Sequence, residues 1–62
     1  MAYAIDDAVL VTGRVLVGDE SMNFSAEPGI IKKVDRDDHY YVETQHGTHY
    51  VYGPQYLEPD KS

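Results

Sequence analysis

The stretch Tyr40–Leu57, YYVETQHGTHYVYGPQYL, decides the fold. Two runs of β-branched and aromatic residues, Tyr40–Gln45 and Thr48–Tyr52, flank the dipeptide His46-Gly47. Glycine takes the positive φ that a tight hairpin turn needs, so the pattern predicts two antiparallel strands around a two-residue turn. A His46-Gly47 turn sets Gln45 opposite Thr48, Thr44 opposite His49, Glu43 opposite Tyr50, Val42 opposite Val51 and Tyr41 opposite Tyr52. Side chains alternate across a sheet, so Val42 and Val51 share one face while Tyr41, Glu43, Tyr50 and Tyr52 share the other.

Working outward, Gly53-Pro54-Gln55-Tyr56 reads as a single helical or 3₁₀ turn, with Pro54 presetting φ at its start. Leu57-Glu58 follows as a short last strand, and Asp60–Ser62 as a frayed tail. Upstream, Ile30–Val34 is a strand bounded by Pro28-Gly29 and by the acidic run Asp35–Asp38. Gly18–Gly29, GDESMNFSAEPG, shows no period and is expected to be a long loop whose Met22 and Phe24 fold back over the core. Ala8–Thr12 and Val15–Val17 form one interrupted strand, with Gly13 either a bulge or a tight turn. Met1–Asp7 is a loose lead-in. The expected core is Val9, Val11, Ile30, Val34, Val42, Val51 and Leu57, closed at its ends by Tyr40 and Phe24, although Ala8/Leu10 compete with Val9/Val11 for the inward positions.

These elements describe a single all-β domain: a five-stranded SH3-like small barrel with a long first loop and a 3₁₀ turn before its last strand. At 62 residues the core is thin. The chain has no cysteine, which removes disulfides and thiolate metal sites and points to a reducing cytoplasm. No apolar run spans a membrane, and MAYAIDDAVLV lacks the basic start of a signal peptide. Eleven acidic residues against five basic ones give a net charge of −6. That balance opposes binding to phosphate backbones and suits a basic protein surface, or simply solubility.

The order PGIIKKVD … YYVE … GT … YLE resembles SH3-like domains, including the Tudor and KOW groups, and GPQYL sits where SH3 domains proper carry a proline-led 3₁₀ turn. The chain has no tryptophan to wall a proline-rich peptide groove. The C-terminal half also resembles the plasmid-borne, trimethoprim-resistant (type II) dihydrofolate reductases, SH3-like barrels that assemble as tetramers around a shared pore. His49-Tyr50-Val51-Tyr52 occupies the place of that family's Val-Gln-Ile-Tyr pore motif. Tyr52 matches outright, Tyr50 stands where the family has its ligand-contacting glutamine, and the pore lysine has no counterpart in Val9–Thr12. The resemblance implies the barrel and the face that associates.

Six tyrosines are many for this length, and three of them share a face with Glu43, which is costly to bury unpaired. Tyr41, Glu43, Tyr50, Tyr52 and the neighbouring Lys32 are therefore the expected binding residues, since exposed tyrosines give contact area at low entropy cost. The plainer alternative is that the rings only stiffen the hairpin. Base stacking on the tyrosines, helped by Lys32 and Lys33, is opposed by Asp35, Asp37, Asp38 and Glu43. His46 and His49 are spaced HxxH, but a hairpin sets one at the tip and the other within a strand, and His39 with Asp37 and Asp38 joins them only if two loops meet. Turn and surface histidines are the expectation, and no metal site is assigned. Asp35–Asp38 lacks the spaced oxygen ligands of a calcium loop. Neither a nucleophile–base pair nor a phosphate loop is visible, so no catalytic residue and no cofactor are assigned.

The sequence thus points to a non-enzymatic protein-binding or regulatory module, of a size common among phage- and plasmid-type accessory proteins, whose tyrosine face meets a basic protein or a second copy. Two alternatives stay open: a reductase-like oligomer with a shared pore, and an acidic inhibitor that mimics nucleic acid.

Overall fold

Valine, leucine and threonine dominate Ala8–Val17, and in the computed structural model, which describes residues Tyr3–Asp60, this run is one unbroken strand, β1. Gly18, at φ 63°, and Asp19 turn the chain directly into β2, Glu20–Val34. After the acidic turn come β3 (His39–Thr44), β4 (Gly47–Tyr52), a single α-helical turn α1 (Gly53–Tyr56) and β5 (Leu57–Pro59). The five strands form one antiparallel sheet in the order β4-β3-β2-β1-β5. The sheet is open, with no ladder joining β4 to β1 or β5, although Cα atoms of β1 and β4 come within 8 Å. Among the described residues no helix is long and apolar enough to cross a membrane.

The expected long loop at Gly18–Gly29 is instead the first half of a fifteen-residue strand. Its aperiodic pattern has a physical cause. Val11 pairs with Glu27 but Gly13 with Phe24, so β2 spends three residues where β1 spends two. The extra residue switches which parity faces inward: Phe24 is buried before the shift, Gly29 and Ile31 after it. Gly13 lies at this irregularity with φ 87°, inside a continuous strand and so not a tight turn, while the extra residue sits opposite it on β2.

A second shift separates the Ile31–Val42 pair from the Lys33–Tyr41 pair. Two core assignments are overturned here, one by this shift and one by the strand's end. Ile31 is fully buried, whereas Ile30 is 37% and Val34 42% exposed. Ile30 pairs with Glu43 on the outer face, and Val34 lies at the strand's end opposite Tyr40. The buried apolar set is Val9, Val11, Val15, Phe24, Ile31, Tyr40, Val42, Val51 and Leu57, which decides for Val9/Val11 over Ala8/Leu10.

The β3–β4 turn is Gln45-His46, one residue earlier than glycine placement suggests, and Gly47 spends its positive φ of 121° as the first residue of β4. The Thr44 hydroxyl accepts the His46 backbone N–H at 3.1 Å, a local bond that fixes the turn there. Every partner changes by two residues: Val42 faces His49, Tyr41 faces Tyr50, Tyr40 faces Val51 and Glu43 faces Thr48. A two-residue change preserves side-chain parity, so each face keeps its members.

His49, on the inward face with Val51 in either register, is not a surface histidine. It is 1% exposed, its Nε2 lies 2.7 Å from Thr44 Oγ1, and its Nδ1 has no hydrogen-bond partner. Tyr40 is the other large buried polar ring. Its hydroxyl accepts the Tyr3 backbone N–H at 3.0 Å, and the Tyr3 ring meets it edge-on at 5.5 Å. The lead-in is further tied by Asp6 N–H to Ile31 O at 2.8 Å and Ile31 N–H to Asp7 O at 3.0 Å, so the described part of that segment is held to β2. At the other end Asp60 N–H donates to Ala8 O at 3.2 Å. Met1, Ala2, Lys61 and Ser62 lie outside the described residues.

Gly53 starts α1 where the chain passes the Tyr40 ring. A Cβ there would sit 2.6 Å from Tyr40 Cε2, and the Gly53 N–H donates to Asp38 O at 2.7 Å. Glycine lets the helical turn approach the ring this closely.

The exchange of Ile30 for Ile31 in the core is directly measurable. Ile31→Ala should cost about 2–5 kcal/mol in urea denaturation, as for a fully buried aliphatic side chain, and Ile30→Ala less than about 1 kcal/mol. The reverse order would mean that the second register shift is misplaced.

Candidate functional site: the outward face of the β3–β4 hairpin

Alternation along β3 and β4 turns His39, Tyr41 and Glu43 outward from one strand and Thr48, Tyr50 and Tyr52 from the other. The corrected register decides which of them touch. Tyr41 and Tyr50 are directly opposite, with ring centroids 4.9 Å apart. His39 and Tyr52 are likewise opposite, at 5.1 Å. The diagonal neighbour of Tyr50 is His39, stacked on it at 5.5 Å and 18°. Lys33 Nζ sits 5.4 Å above the Tyr41 ring, within cation–π range. The result is a strip running Lys33, Tyr41, Tyr50, His39, Tyr52. Tyr50 is 45% and Tyr52 42% exposed.

The expected binding residues are therefore brought together in part. Tyr41, Tyr50 and Tyr52 share the strip, though Tyr41 lies farthest from Tyr52 and is the most covered of the three. Glu43 faces Thr48, not Tyr50, and its Oε1 lies 3.6 Å from Lys32 Nζ. Both partners are about half exposed, so the pair contributes little to stability. Lys32 and Glu43 thus form a neighbouring ion pair at the hairpin-tip side of the strip. The member that sequence reasoning left out is His39. Extending the alternation of Tyr41 and Glu43 back by one more pair would have included it.

Electrostatics concentrates at the other end, where the strip meets the acidic turn. The Tyr50 hydroxyl donates to Asp35 Oδ2 at 2.8 Å. That bond holds the Asp35 carboxyl below the usual carboxylate range, with Arg36 and Lys33 adding smaller contributions, and it raises the Tyr50 phenol above its ordinary value. His39 Nδ1 lies 2.9 Å from Asp37 O, which orients the ring under Tyr50. Asp38 takes a left-handed φ of 61° where the turn re-enters β3.

Beside the strip a cleft of about 180 Å³ opens between β1 and β4, lined by Arg14, Leu16, Tyr50, Tyr52 and Tyr56 with Val15 and Val51 at its floor. A wider, shallower depression lies over Ala8, Pro28, Ile30 and Glu43 on the outer face of the sheet.

The histidines do not converge. His46 is at the tip, 3.9 Å from Glu27 Oε2, His49 is buried against Thr44, and His39 is in the strip. Among the described residues no group of three or more His, Cys, Asp or Glu is placed to hold a metal ion. Comparison with protein families, with curated proteins and with solved structures finds no match to this chain.

The Tyr50–Asp35 bond has a definite pH signature. A carboxyl whose folded pKa is depressed contributes stability that is present above its unfolded pKa, near 3.9, and lost as pH falls through the folded value. Tyr50→Phe should raise the Asp35 titration midpoint in carboxyl-carbon NMR. The stability gap between wild type and Tyr50→Phe should shrink between about pH 5 and the acid limit. An Asp35 midpoint unmoved by the substitution would show that the bond does not form in solution.

Proposed function

We propose that this chain is a non-enzymatic, SH3-like protein-binding module and that its outward tyrosine strip is the contact surface. The observation that carries the reading is the strip itself: Tyr41, Tyr50, His39 and Tyr52 in mutual contact on one outward face, with Tyr50 and Tyr52 little more than half covered. Tyrosine gives large contact area with few rotatable bonds, and such rings are enriched where binding energy concentrates. The SH3-like assignment is supported by the strand order, by the single helical turn before the last strand, and by the approach of β1 to β4 across the open side of the sheet.

Partner chemistry follows from charge. The net charge of −6 and the carboxylates of Asp35, Asp37 and Asp38 beside the strip steer a partner with a basic surface. Lys32 and Glu43 mark the polar rim.

The test uses the full chain immobilised as wild type and as the Tyr50→Ala/Tyr52→Ala double variant, with folding of both checked by circular dichroism. Wild type should retain a basic protein that elevated salt releases, and the double variant should bind it at least about 30-fold more weakly, the scale of losing one interface hot spot. Equal binding by both would overturn the reading. A solution mass of several protomers that falls to one in the variant would assign the face to a second copy instead.

A further inference from the structure

The cleft between β1 and β4 adds a specific demand on what docks there. Where the two strands approach, their Cα atoms lie within 8 Å. An added strand between them would need roughly 9.5 Å, two inter-strand spacings, so a partner strand does not fit between β1 and β4 where they approach. A side chain can enter, because the cleft holds about 180 Å³ and a cavity of about 150 Å³ accepts a benzene-sized group. Its walls mix rings and aliphatic carbons, from Tyr50, Tyr52, Tyr56 and the 66% exposed Leu16, with a polar share at least as large that includes Arg14.

Arg14 stands in the lining of this cleft, the one described Lys or Arg that does so. Lys32 is paired with Glu43, Lys33 lies over Tyr41, and Arg36 acts on Asp35. Arg14 makes a 3.4 Å hydrogen bond from Nη1 to Ser21 Oγ. In a chain of net charge −6, this guanidinium at the cleft has, among the described residues, no carboxylate within ion-pair range.

We infer that the cleft takes an apolar side chain carried next to a carboxylate, the carboxylate pairing with Arg14 and the side chain filling the space between Leu16, Tyr52 and Tyr56. The inference rests on the protein-binding reading and specifies the anchor of the same partner. Long-range repulsion from the net charge disfavours a free anion, so the carboxylate arrives within a segment that is otherwise neutral or basic. Steering by a basic surface and anchoring by one acidic residue act at different distances and are compatible.

The test titrates the ¹⁵N-labelled full chain with two probes, N-acetyl-lysyl-leucyl-phenylalanine, neutral overall, and its C-terminal amide. The acid should shift the amides of Arg14, Leu16, Tyr52 and Tyr56 and bind about fivefold more tightly than the amide, the upper range for a partly exposed ion pair. Arg14→Gln, at a partly exposed position, should bring the ratio of acid to amide affinity to about one. Equal affinities, shifts confined to other residues, or no saturable binding of either probe would overturn the inference. If the double tyrosine variant still loses its partner while the two probes bind alike, the protein-binding reading stands and the carboxylate anchor falls.

Discussion

The continuity of β2 is the constraint on which the rest of the structure depends. Fifteen residues pair with β1 along one edge and with β3 along the other, so one strand belongs to both halves of the sheet. A regular strand of that length would present one parity of side chains inward throughout, and a flat sheet could not enclose a core from so few residues. Two register shifts resolve the conflict. Each adds a residue to β2, bends it and changes the inward parity, so that Phe24 serves one end of the core and Ile31 the other. Gly29 lies between them where β2 runs close to β3: a Cβ there would be 2.7 Å from Val42 Cγ1.

Polar rings complete what this small apolar set cannot fill. Tyr40 is buried by Tyr3 and Gly53, and its hydroxyl is satisfied by the Tyr3 backbone. His49 is buried against Thr44 and beside Phe24, with one nitrogen bonded and the other not. Thr44 holds this corner together, because the same hydroxyl accepts the His46 N–H that sets the hairpin turn and meets the imidazole. Burying an imidazole beside a hydroxyl is less costly than burying it alone, since one of its two nitrogens keeps a partner.

Legibility in the sequence followed the regularity of the backbone. Where a strand is regular, as in β3 and β4, alternation identified its faces, and an error of one residue in the turn left those faces intact. The helical turn after Tyr52 was readable from Pro54, and Leu57-Glu58 as the last strand from its position. Where the backbone is irregular the pattern failed. Gly18–Gly29 looked like a loop because a bulged strand has no single period, and Ile30 displaced Ile31 because alternation was counted across a shift. His49 was overlooked although alternation sets it with Val51 on the inward face; what alternation does not show is that Thr44 caps its ring. Of the candidate site, the tyrosines were legible from parity. The contact of His39 with Tyr50, the Tyr50–Asp35 bond and the Arg14 cleft depend on tertiary placement.

The strip's internal contacts bear on how it can work as a binding surface. An exposed tyrosine loses rotamer freedom when a partner immobilises it, and that loss subtracts from affinity. Here part of the loss has already occurred in the free chain. Tyr50 is held from three sides: by Tyr41 across the ladder, by His39 stacked diagonally, and by the Asp35 carboxylate on its hydroxyl. Tyr52 has only His39 as a ring neighbour and borders the cleft that also contains Arg14. The two exposed rings are therefore unequal: Tyr50 has two ring contacts and a hydroxyl hydrogen bond, while Tyr52 has one ring contact among the described residues. On the proposed binding role, the ring with more contacts would lose less freedom on contact and so subtract less from affinity.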